Sequence, residues 1–215
     1  MSIRNIVFDM GQVLIRWRPD LLLSHFDISR EDNALLVTEM FQSVEWMQLD
    51  HGTISGEEAV ARMCSRLPGR LHSCVNAVVN GWWTFALTPI PGMGALVGEL
   101  KEKGYGIYLL SNAGVSLREY FPGIPGAEYF DGLLVSAEEK LLKPQHEIYH
   151  RLYGLFGLDP ARCFFIDDSP ANVEAAMCTG MHAIQFRGDV GRLRRELGTL
   201  GVEVAEATQS EPEMV

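Results

Sequence analysis

The spacing of short apolar runs constrains the fold of this chain more than any other feature. Four runs are typical of strands buried on both faces, and they lie at Ile6–Phe8, Ile107–Leu110, Cys163–Ile166 and Ala183–Phe186. A weaker fifth run lies at Gly132–Val135. Each run is too short for a helix, and helical patterns lie between them. This alternation predicts an α/β fold with a parallel sheet and crossover helices.

The stretch from about Arg16 to Leu87 departs from this alternation. Ser55 followed by Glu58 fits a capping box that opens one of its helices. The stretch contains no convincing strand, and its helix-like segments are Asp20–Phe26, Glu31–Phe41, Glu57–Leu67 and roughly Leu71–Trp82. We therefore predict a core formed by residues 1–15 and 88–205, with a helical insert at 16–87. The acidic, polar end of the chain, residues 206–215, is expected to be disordered.

Charge and composition limit the partners of the protein. The net charge of −10 argues against nucleic acid or an anionic membrane surface as the main partner. No apolar stretch has transmembrane length, and the first residues lack the pattern of a signal peptide. The four cysteines show no CxxC spacing, and Cys163 and Cys178 lie in apolar runs, so we expect reduced, buried thiols. These features favour a cytoplasmic protein.

Polar residues follow the predicted strands at the point where each strand ends. Asp9 follows the first run, Ser111–Asn112 the second and Asp167–Asp168 the third, while Lys143 lies in the loop after Val135. Residues just beyond the carboxyl ends of neighbouring parallel strands converge on one crevice. We therefore expect these side chains to meet, although they are far apart in the sequence.

Each of these residues also has a simpler explanation. An aspartate after a strand is often a turn or cap residue, as Asp9 would be. Ser169 fits an N-cap with Pro170 at the first helical position, but that interpretation leaves Asp167 unexplained. Two adjacent carboxylates at the exit of a buried strand favour the joint interpretation.

Taken together, the strand-end residues predict a phosphoryl-transfer site. Carboxylates that lie close together repel one another unless a cation binds among them, and an incomplete set of oxygen ligands suits Mg²⁺. A lysine, a hydroxyl and backbone amides would then bind a phosphoryl group, and a carboxylate beside the phosphorus can attack it to form an aspartyl-phosphate. Such a locally cationic pocket would also reconcile an anionic substrate with the negative net charge.

These residues resemble the motifs of the haloacid dehalogenase (HAD) superfamily, and specifically of its phosphatases. "FDMGQVL" is similar to the first motif, "LLSN" to the second, "KP" within "LLKPQHEIY" to the third and "FIDDSPANV" to the fourth. The resemblance extends from Ile3 to about Phe186 and implies a Rossmann-like sheet flanked by helices, with a small α-helical cap inserted after the first strand. Within the superfamily, the D-x-G first motif resembles that of the bacterial α-D-glucose-1-phosphate phosphatase-like proteins.

The resemblance implies a nucleophile and a set of Mg²⁺ ligands. Asp9 would be the nucleophile and a ligand, and Gly11 would offer its backbone carbonyl to the same ion. Asp168 would be the direct ligand from the fourth motif, with Asp167 a further ligand through water.

The resemblance also implies a set of residues that hold the phosphoryl group. Ser111 and Asn112, with Lys143, would hold its oxygens, and Lys143 would offset charge between Asp9 and the metal. Asn172 lies where many members of the superfamily carry another acid, and its neutral side chain can orient ligands without adding charge.

Gly11 departs from the pattern of the superfamily. Most of its phosphatases carry a second aspartate at this position, which protonates the leaving group and then activates water. Loss of a general acid typically costs a factor of roughly 10² to 10⁴ in rate. The departure predicts a slow or leaving-group-selective phosphatase that favours substrates such as anomeric sugar phosphates or acyl phosphates.

Three other functions stay open at this point. A 2-haloacid dehalogenase also lacks the second aspartate, although it would have little use for Asp167–Asp168. "HEIYH" fits the zinc-protease pattern HExxH, with His146 and His150 one helical turn apart and Glu147 as general base. The degenerate first motif is also consistent with a catalytically weak or inactive protein that binds phosphorylated ligands.

The insert would close over the site and select the substrate. We expect a small phosphorylated metabolite, with a sugar phosphate as one candidate, and a monomer or weak homodimer. Polar and aromatic residues of the insert that could contact the substrate, or pack within the insert, are Trp17, Arg18, Trp46, His51, Trp82 and Trp83.

Overall fold

The computed structural model describes residues 2–205 and contains a five-stranded parallel sheet in the order β3-β2-β1-β4-β5. The predicted tail at 206–215 lies outside the described residues. The strands are β1 (Asn5–Phe8), β2 (Gly106–Ser111), β3 (Gly132–Val135), β4 (Cys163–Asp167) and β5 (His182–Gln185). The α/β class predicted from the sequence is confirmed, and β3 has the predicted bounds.

Both faces of the central strands are covered. Ile6 and Phe8 of β1 belong to one hydrophobic cluster, whereas Val7 between them belongs to the other. The same alternation occurs in β4, where Phe164 and Phe165 pack into different clusters. Because successive side chains of a strand point to opposite faces, continuous apolar runs are what a sheet buried on both sides requires.

Helices fill the connections between the strands. Before β2 they are α1 (Pro19–Leu23), α2 (Arg30–Leu36), α3 (Val44–His51), α4 (Gly56–Cys64), α5 (His72–Gly81), α6 (Trp83–Ala86) and α7 (Met93–Glu102), with a π-helical turn at Val37–Phe41. After β2 they are α8 (Leu117–Tyr120), α9 (Ser136–Glu139), α10 (His146–Phe156), α11 (Pro170–Cys178) and α12 (Val190–Thr199). Short 3₁₀ turns lie at Gly69–Leu71, Phe121–Gly123, Ala127–Tyr129 and Pro160–Arg162.

The chain leaves the sheet region and returns to it at adjacent points. Ile15 forms an isolated β-bridge with Pro89, and the amide of Arg16 donates to the carbonyl of Thr88 at 2.8 Å. The described elements between these two points are helical. The segment from Arg16 to Thr88, here called the insert, therefore begins and ends at one place, while the proposed division into core and cap stays a prediction.

The sequence did not predict α3 within the insert. Its buried residue is the charged Glu45, whereas Val44 and Met47 are 52% and 54% exposed, so no apolar stripe marks the helix. Local signals do mark its two ends. The Ser43 side chain accepts a hydrogen bond from the amide of Trp46 at the start, and Gly52, with φ of 70°, ends the helix.

The cysteines and the lengths of the helices bear on two further expectations from the sequence. The four cysteines are free thiols. Cys74 and Cys163 are buried as expected, but Cys64 is half-buried and Cys178, at the end of α11, is exposed. Among residues 2–205, none of the helices combines the length and apolar character needed to cross a membrane.

Candidate active site

The carboxyl ends of the strands bring three aspartates and a lysine together. Carboxylate oxygens of Asp9, Asp167 and Asp168, here called the aspartate cluster, lie within 4.8 Å of one another. The Nζ atom of Lys143 lies 2.7 Å from Asp9 Oδ1 and 2.7 Å from Asp167 Oδ2. Because β1 and β4 are neighbours in the sheet, their last residues meet as the positions of the strand ends predict.

Lys143 is a buried cation between two carboxylates. Its side chain is 1% exposed, and its Nζ atom lies 5.3 Å from the centre of the Phe165 ring. Burial alone would lower the pKa of Lys143, but the charges of Asp9 and Asp167 and their hydrogen bonds raise it above its ordinary value. The side chain is therefore an ammonium group at neutral pH.

The hydrogen-bonding capacity of Asp167 is used largely within the protein. Its Oδ1 accepts from the amide of Ser169 at 2.8 Å, its Oδ2 accepts from Lys143, and Asn172 Nδ2 lies 3.1 Å from both oxygens. The predicted serine cap is not formed, since the Ser169 side chain makes no capping hydrogen bond. Asn172 thus orients a carboxylate, as its neutral side chain allows.

Asp9 and Asp168 are the members of the aspartate cluster that line a cavity beside the strand ends, which is described below. Burial raises the pKa of Asp9 to about 6, with Lys143 opposing this shift and the charge of Asp167 adding to it. Burial and the charge of Asp167 also raise the pKa of Asp168 above its ordinary value, against the effect of Lys143. One ammonium group faces three carboxylates, which leaves negative charge in the cluster. All the possible metal ligands are oxygens, so the aspartate cluster fits a hard divalent cation such as Mg²⁺.

Ser111, the last residue of β2, and Asn112, which follows it, have different surroundings. Asn112 lines the cavity, but its Nδ2 donates to the carbonyl of Lys143 at 3.0 Å and its Oδ1 accepts from the amide of Lys143 at 2.9 Å. Its side chain therefore holds the main chain that carries the lysine. Ser111 is buried at the end of β2 and is not among the residues that line the cavity. The predicted contacts of both residues with a phosphoryl group stay predictions.

A cavity of about 650 Å³ lies between the strand ends and the insert. Gly11 and the nucleophile candidate Asp9 both line it. Within the described part of the chain, none of the lining residues is lysine, arginine or histidine. The predicted cationic pocket is therefore not formed by side chains, because Lys143 lies behind the carboxylates with which it pairs.

Tryptophans form much of the wall that the insert contributes. The ring centres of Trp17 and Trp82 are 4.6 Å apart, and those of Trp17 and Trp46 are 5.6 Å apart. Trp83 stacks on Tyr120, which lies outside the insert, with 5.3 Å between ring centres. All five rings line the cavity, which gives it a broad aromatic surface.

Two other residues of the insert do not line this cavity. Arg18 is exposed and pairs with the nearby Asp20. His51 Nε2 lies 2.9 Å from the carbonyl oxygen of Lys140, so it connects the insert to the loop region after β3. These two candidates for substrate contact therefore have structural partners instead.

Asp50 is a functional candidate that sequence reasoning missed. It lies in the last turn of α3 and lines the cavity that Asp9 also lines. Burial raises the pKa of Asp50 to about 7, and the charge of Asp9 adds to the shift. No side-chain hydrogen bond or ion pair joins its carboxylate to another described residue. Recognition of α3 from its Ser43 and Gly52 end signals would have been the way to find it.

The HEIYH pattern does not form a metal site among the described residues. His146, Glu147 and His150 lie on the exposed side of α10, while Ile148 and Tyr149 between them are buried in the core. Within residues 2–205, the only group of three close metal-ligating side chains is the aspartate cluster. The pattern is explained by an amphipathic helix, and the zinc-protease alternative has no support from the structure.

The family follows from comparison with known proteins. A family model for haloacid dehalogenase-like hydrolases matches residues 3–180. The chain belongs to this family. Sesquiterpene phosphatase astK of Aspergillus oryzae is 29% identical over 84% of this chain and 88% of its own length. D-ribitol-5-phosphate phosphatase of Bacteroides thetaiotaomicron is 24% identical, over 85% of this chain and 91% of its own.

A solved structure of the family supports the fold. A HAD-family enzyme from Bacteroides thetaiotaomicron, in complex with magnesium and inorganic phosphate, superposes with a TM-score of 0.69. The two sequences are 22% identical, and the match covers 89% of this chain and 99% of that enzyme. At this level of identity the similarity shows a shared fold.

Proposed function

We propose that this hydrolase is a Mg²⁺-dependent phosphatase that acts on a small phosphorylated metabolite through an aspartyl-phosphate on Asp9. The observation that carries the proposal is the position of Asp9, which lines the cavity, pairs with Lys143 and lies within 4.8 Å of Asp168. A carboxylate held in this way is a suitable nucleophile for phosphorus. The relatives named as phosphatases, and the neighbour solved with magnesium and phosphate, support the same reaction.

The residues that would hold Mg²⁺ are Asp9, Asp168 and the carbonyl of Gly11, all of which line the cavity. Bound there, the ion would neutralise charge on the phosphoryl group and on the carboxylates. Asp167 is better suited to fix Lys143 than to bind the ion directly, because its oxygens already accept several hydrogen bonds. Its predicted contact through water would use its remaining acceptor capacity.

In the reaction we propose, Asp9 attacks the phosphorus and the bond to the leaving oxygen breaks. Lys143 holds Asp9 in place through its ammonium group and limits the charge that accumulates as the phosphoryl group approaches. Asn112 keeps the main chain of Lys143 fixed. Hydrolysis of the aspartyl-phosphate then frees the enzyme, and Gly11 can assist neither step with a proton.

The cavity wall indicates which organic groups the site would accept. Aromatic rings favour a substrate with a flat or apolar face, which a sugar ring, an aromatic ring and a terpene alcohol all offer. The absence of cationic residues from the described wall, and the presence of Asp50 and Glu119 in it, disfavour a second anionic group. We therefore propose phosphate monoesters of uncharged alcohols, with sugar and terpene phosphates as the two arms of a substrate screen.

Hydrolysis of p-nitrophenyl phosphate tests the proposed function. We expect turnover that requires Mg²⁺, is abolished by a chelator and falls by about 10³-fold or more in Asp9→Asn, because the nucleophile is lost. Asp20→Asn is the matched control, since its exposed ion pair with Arg18 contributes little. An active Asp9→Asn enzyme, or a wild type that turns over none of the monoesters in the screen, would contradict the proposal.

Two further assays separate the phosphatase from the remaining alternatives. Release of chloride from a 2-haloacid without added metal would identify a dehalogenase, for which the charge of Asp168 in the cavity has no evident use. Binding of inorganic phosphate without any turnover would identify a protein that only binds phosphorylated ligands. The pairing of Asp9 with Lys143 favours the active phosphatase over both.

A further inference from the structure

The position of the missing acid at Gly11 is open. A Cβ atom placed on Gly11 would meet only the Cβ of Trp17, at an ordinary contact distance of 3.8 Å. Gly11 is also not among the residues with a positive φ, so its backbone does not demand glycine. The absence of an acid there has no steric cause, and a proton donor has to come from another part of the cavity if poor leaving groups are to be released.

The cavity contains one half-buried carboxyl group that the proposed mechanism has not used. Of the acidic residues that line it, Asp9 is the nucleophile, Asp168 is a metal ligand and Glu119 is exposed. Asp50 is the fourth, and it is contributed by the insert, whereas Asp9 is mounted on the sheet. Tyr120 also lines the cavity, but burial and the charge of Asp50 raise the pKa of its phenol, which makes it a poor acid.

The main chain that carries Asp50 is fixed to the sheet side of the cavity. The hydroxyl of Ser136, the first residue after β3, donates to the carbonyl of Asp50. Gly52 approaches Ala137 so closely that a Cβ on the glycine would lie 2.0 Å from the Ala137 carbonyl oxygen. Together with the contact between His51 and Lys140, these interactions give the carboxyl group a rigid mount.

We propose that Asp50 is the catalytic proton donor and acceptor that replaces the acid absent from position 11, an inference that rests on the proposed phosphatase function. In the first step an oxygen of Asp9 forms a bond to phosphorus while the bond from phosphorus to the leaving oxygen breaks. The electron pair of that bond stays on the leaving oxygen, which takes the proton of the Asp50 carboxyl group. The products are an aspartyl-phosphate, a neutral alcohol and an ionised Asp50.

The second step returns Asp50 to its starting state. Its carboxylate takes a proton from a water molecule in the cavity as the water oxygen forms a bond to phosphorus. The bond between phosphorus and Asp9 breaks, and its electron pair returns to the Asp9 carboxylate. The raised pKa of Asp50, near neutrality, also supports this role, because it suits a group that both donates and accepts a proton.

Paired substrates test this assignment. Asp50→Asn keeps the size of the side chain but removes its transferable proton, so the effect should depend on the leaving group. In single-turnover experiments with Mg²⁺, we expect release of phenol from phenyl phosphate to fall by roughly 10² to 10⁴. Release of p-nitrophenol from p-nitrophenyl phosphate, which needs little protonation, should fall by less than about tenfold and be followed by slow loss of the aspartyl-phosphate.

Two further variants make the test specific to proton transfer. Glu119→Gln removes a charge from the same cavity and should leave the ratio of the two release rates at the wild-type value. Gly11→Asp, combined with Asp50→Asn, should restore phenol release by at least about tenfold, because an acid is again available beside Asp9. Restoration by a second substitution also shows that the single variant is folded.

The outcomes distinguish this inference from the function on which it rests. Equal losses for both substrates in Asp50→Asn, with no restoration by Gly11→Asp, would overturn the role of Asp50 while Asp9-dependent turnover by the wild type upheld the phosphatase. A wild type that lacks Asp9-dependent turnover would overturn the proposed function itself, and the role of Asp50 with it.

Discussion

At the scale of single residues, Lys143 is the group on which the site depends most. Its ammonium group is the partner of two buried carboxylates, those of Asp9 and Asp167. Removing one member of a buried ion pair leaves an uncompensated charge, and the cost is typically larger than the net contribution of the pair itself. The site therefore links catalytic geometry to the stability of the fold.

We predict that Lys143→Met lowers the free energy of unfolding by about 3 to 5 kcal/mol at pH 8, measured by urea denaturation. Because burial already raises the pKa of Asp9, this carboxylate can take up a proton when the pH falls. The deficit should therefore shrink between pH 8 and pH 5, since protonation removes the repulsion. Lys103→Met, at an exposed lysine, is the control and should change stability little. Equal stability of Lys143→Met and wild type at pH 8 would contradict the prediction.

The residues of the site differ in how far the sequence predicts them. Asp9 and Asp168 follow strands whose apolar runs are clear, and Lys143 follows a weaker run, so their convergence could be predicted from their positions beyond the carboxyl ends of parallel strands. The hydrogen bonds that occupy Asp167 could not, because they depend on how the next helix is placed. The position of Asp50 could not be predicted from the sequence for another reason. It depends on the contact between α3 and the residues after β3, which are far away in the sequence.

At the scale of secondary-structure elements, the junction between α3 and α9 determines where Asp50 lies. Gly52 has φ of 70° and lies too close to the Ala137 carbonyl for any side chain. We predict that Gly52→Ala lowers the free energy of unfolding by at least about 2 kcal/mol, because the left-handed backbone and the contact with Ala137 both penalise a Cβ atom. Displacement of α3 should also lower the turnover of phenyl phosphate.

Gly69→Ala is the matched control for this prediction. It lies in the same insert, but a Cβ there would meet no atom within 4 Å, and its φ is not positive. Its effect on stability should stay within about 0.5 kcal/mol, as for most surface substitutions. If the two variants have equal stability in urea denaturation, the close contact at Gly52 does not hold α3 in place.

The elements also show where pattern-based prediction fails. The strands were predictable because their apolar runs are continuous, and α4 was predictable because Ser55 followed by Glu58 fits a capping box. In the structure, the Ser55 hydroxyl accepts a hydrogen bond from the amide of Glu58. By contrast, α3 turns Glu45 inward, where it pairs with Arg66 at 2.8 Å. A helix that buries a carboxylate while it exposes Val44 and Met47 lacks the periodicity on which sequence prediction depends.

At the scale of the whole molecule, the two ends of the insert are held together beside the sheet. As a result, the sheet side and the insert contribute different groups to the site. The bridge between Ile15 and Pro89 fixes the points at which the chain leaves and returns. The end of β1 supplies the nucleophile and the loop before α10 supplies its lysine, whereas the insert supplies most of the aromatic wall and the proposed proton donor. Substitutions in the insert should therefore alter substrate and leaving-group preference before they alter the attack by Asp9.

The charge of the whole molecule predicts an unusual response to salt. The protein has a net charge of −10. Among the residues that the structure describes, those that line the cavity include carboxylates and no cationic side chain. An anionic phosphate monoester therefore approaches against a negative field, which salt screens. At saturating Mg²⁺, we predict that kcat/KM rises about two- to fivefold as NaCl increases from about 20 to about 200 mM.

Substrate charge provides the control for this effect. Phosphocholine carries a quaternary ammonium group that offsets one negative charge, so its kcat/KM should rise less with salt than that of phenyl phosphate. A fall in kcat/KM with salt for both substrates would show that a local positive field outweighs the net charge. In that case the field at the site would be set by the bound metal and Lys143, and the carboxylates of the wall would contribute little to the approach of the substrate.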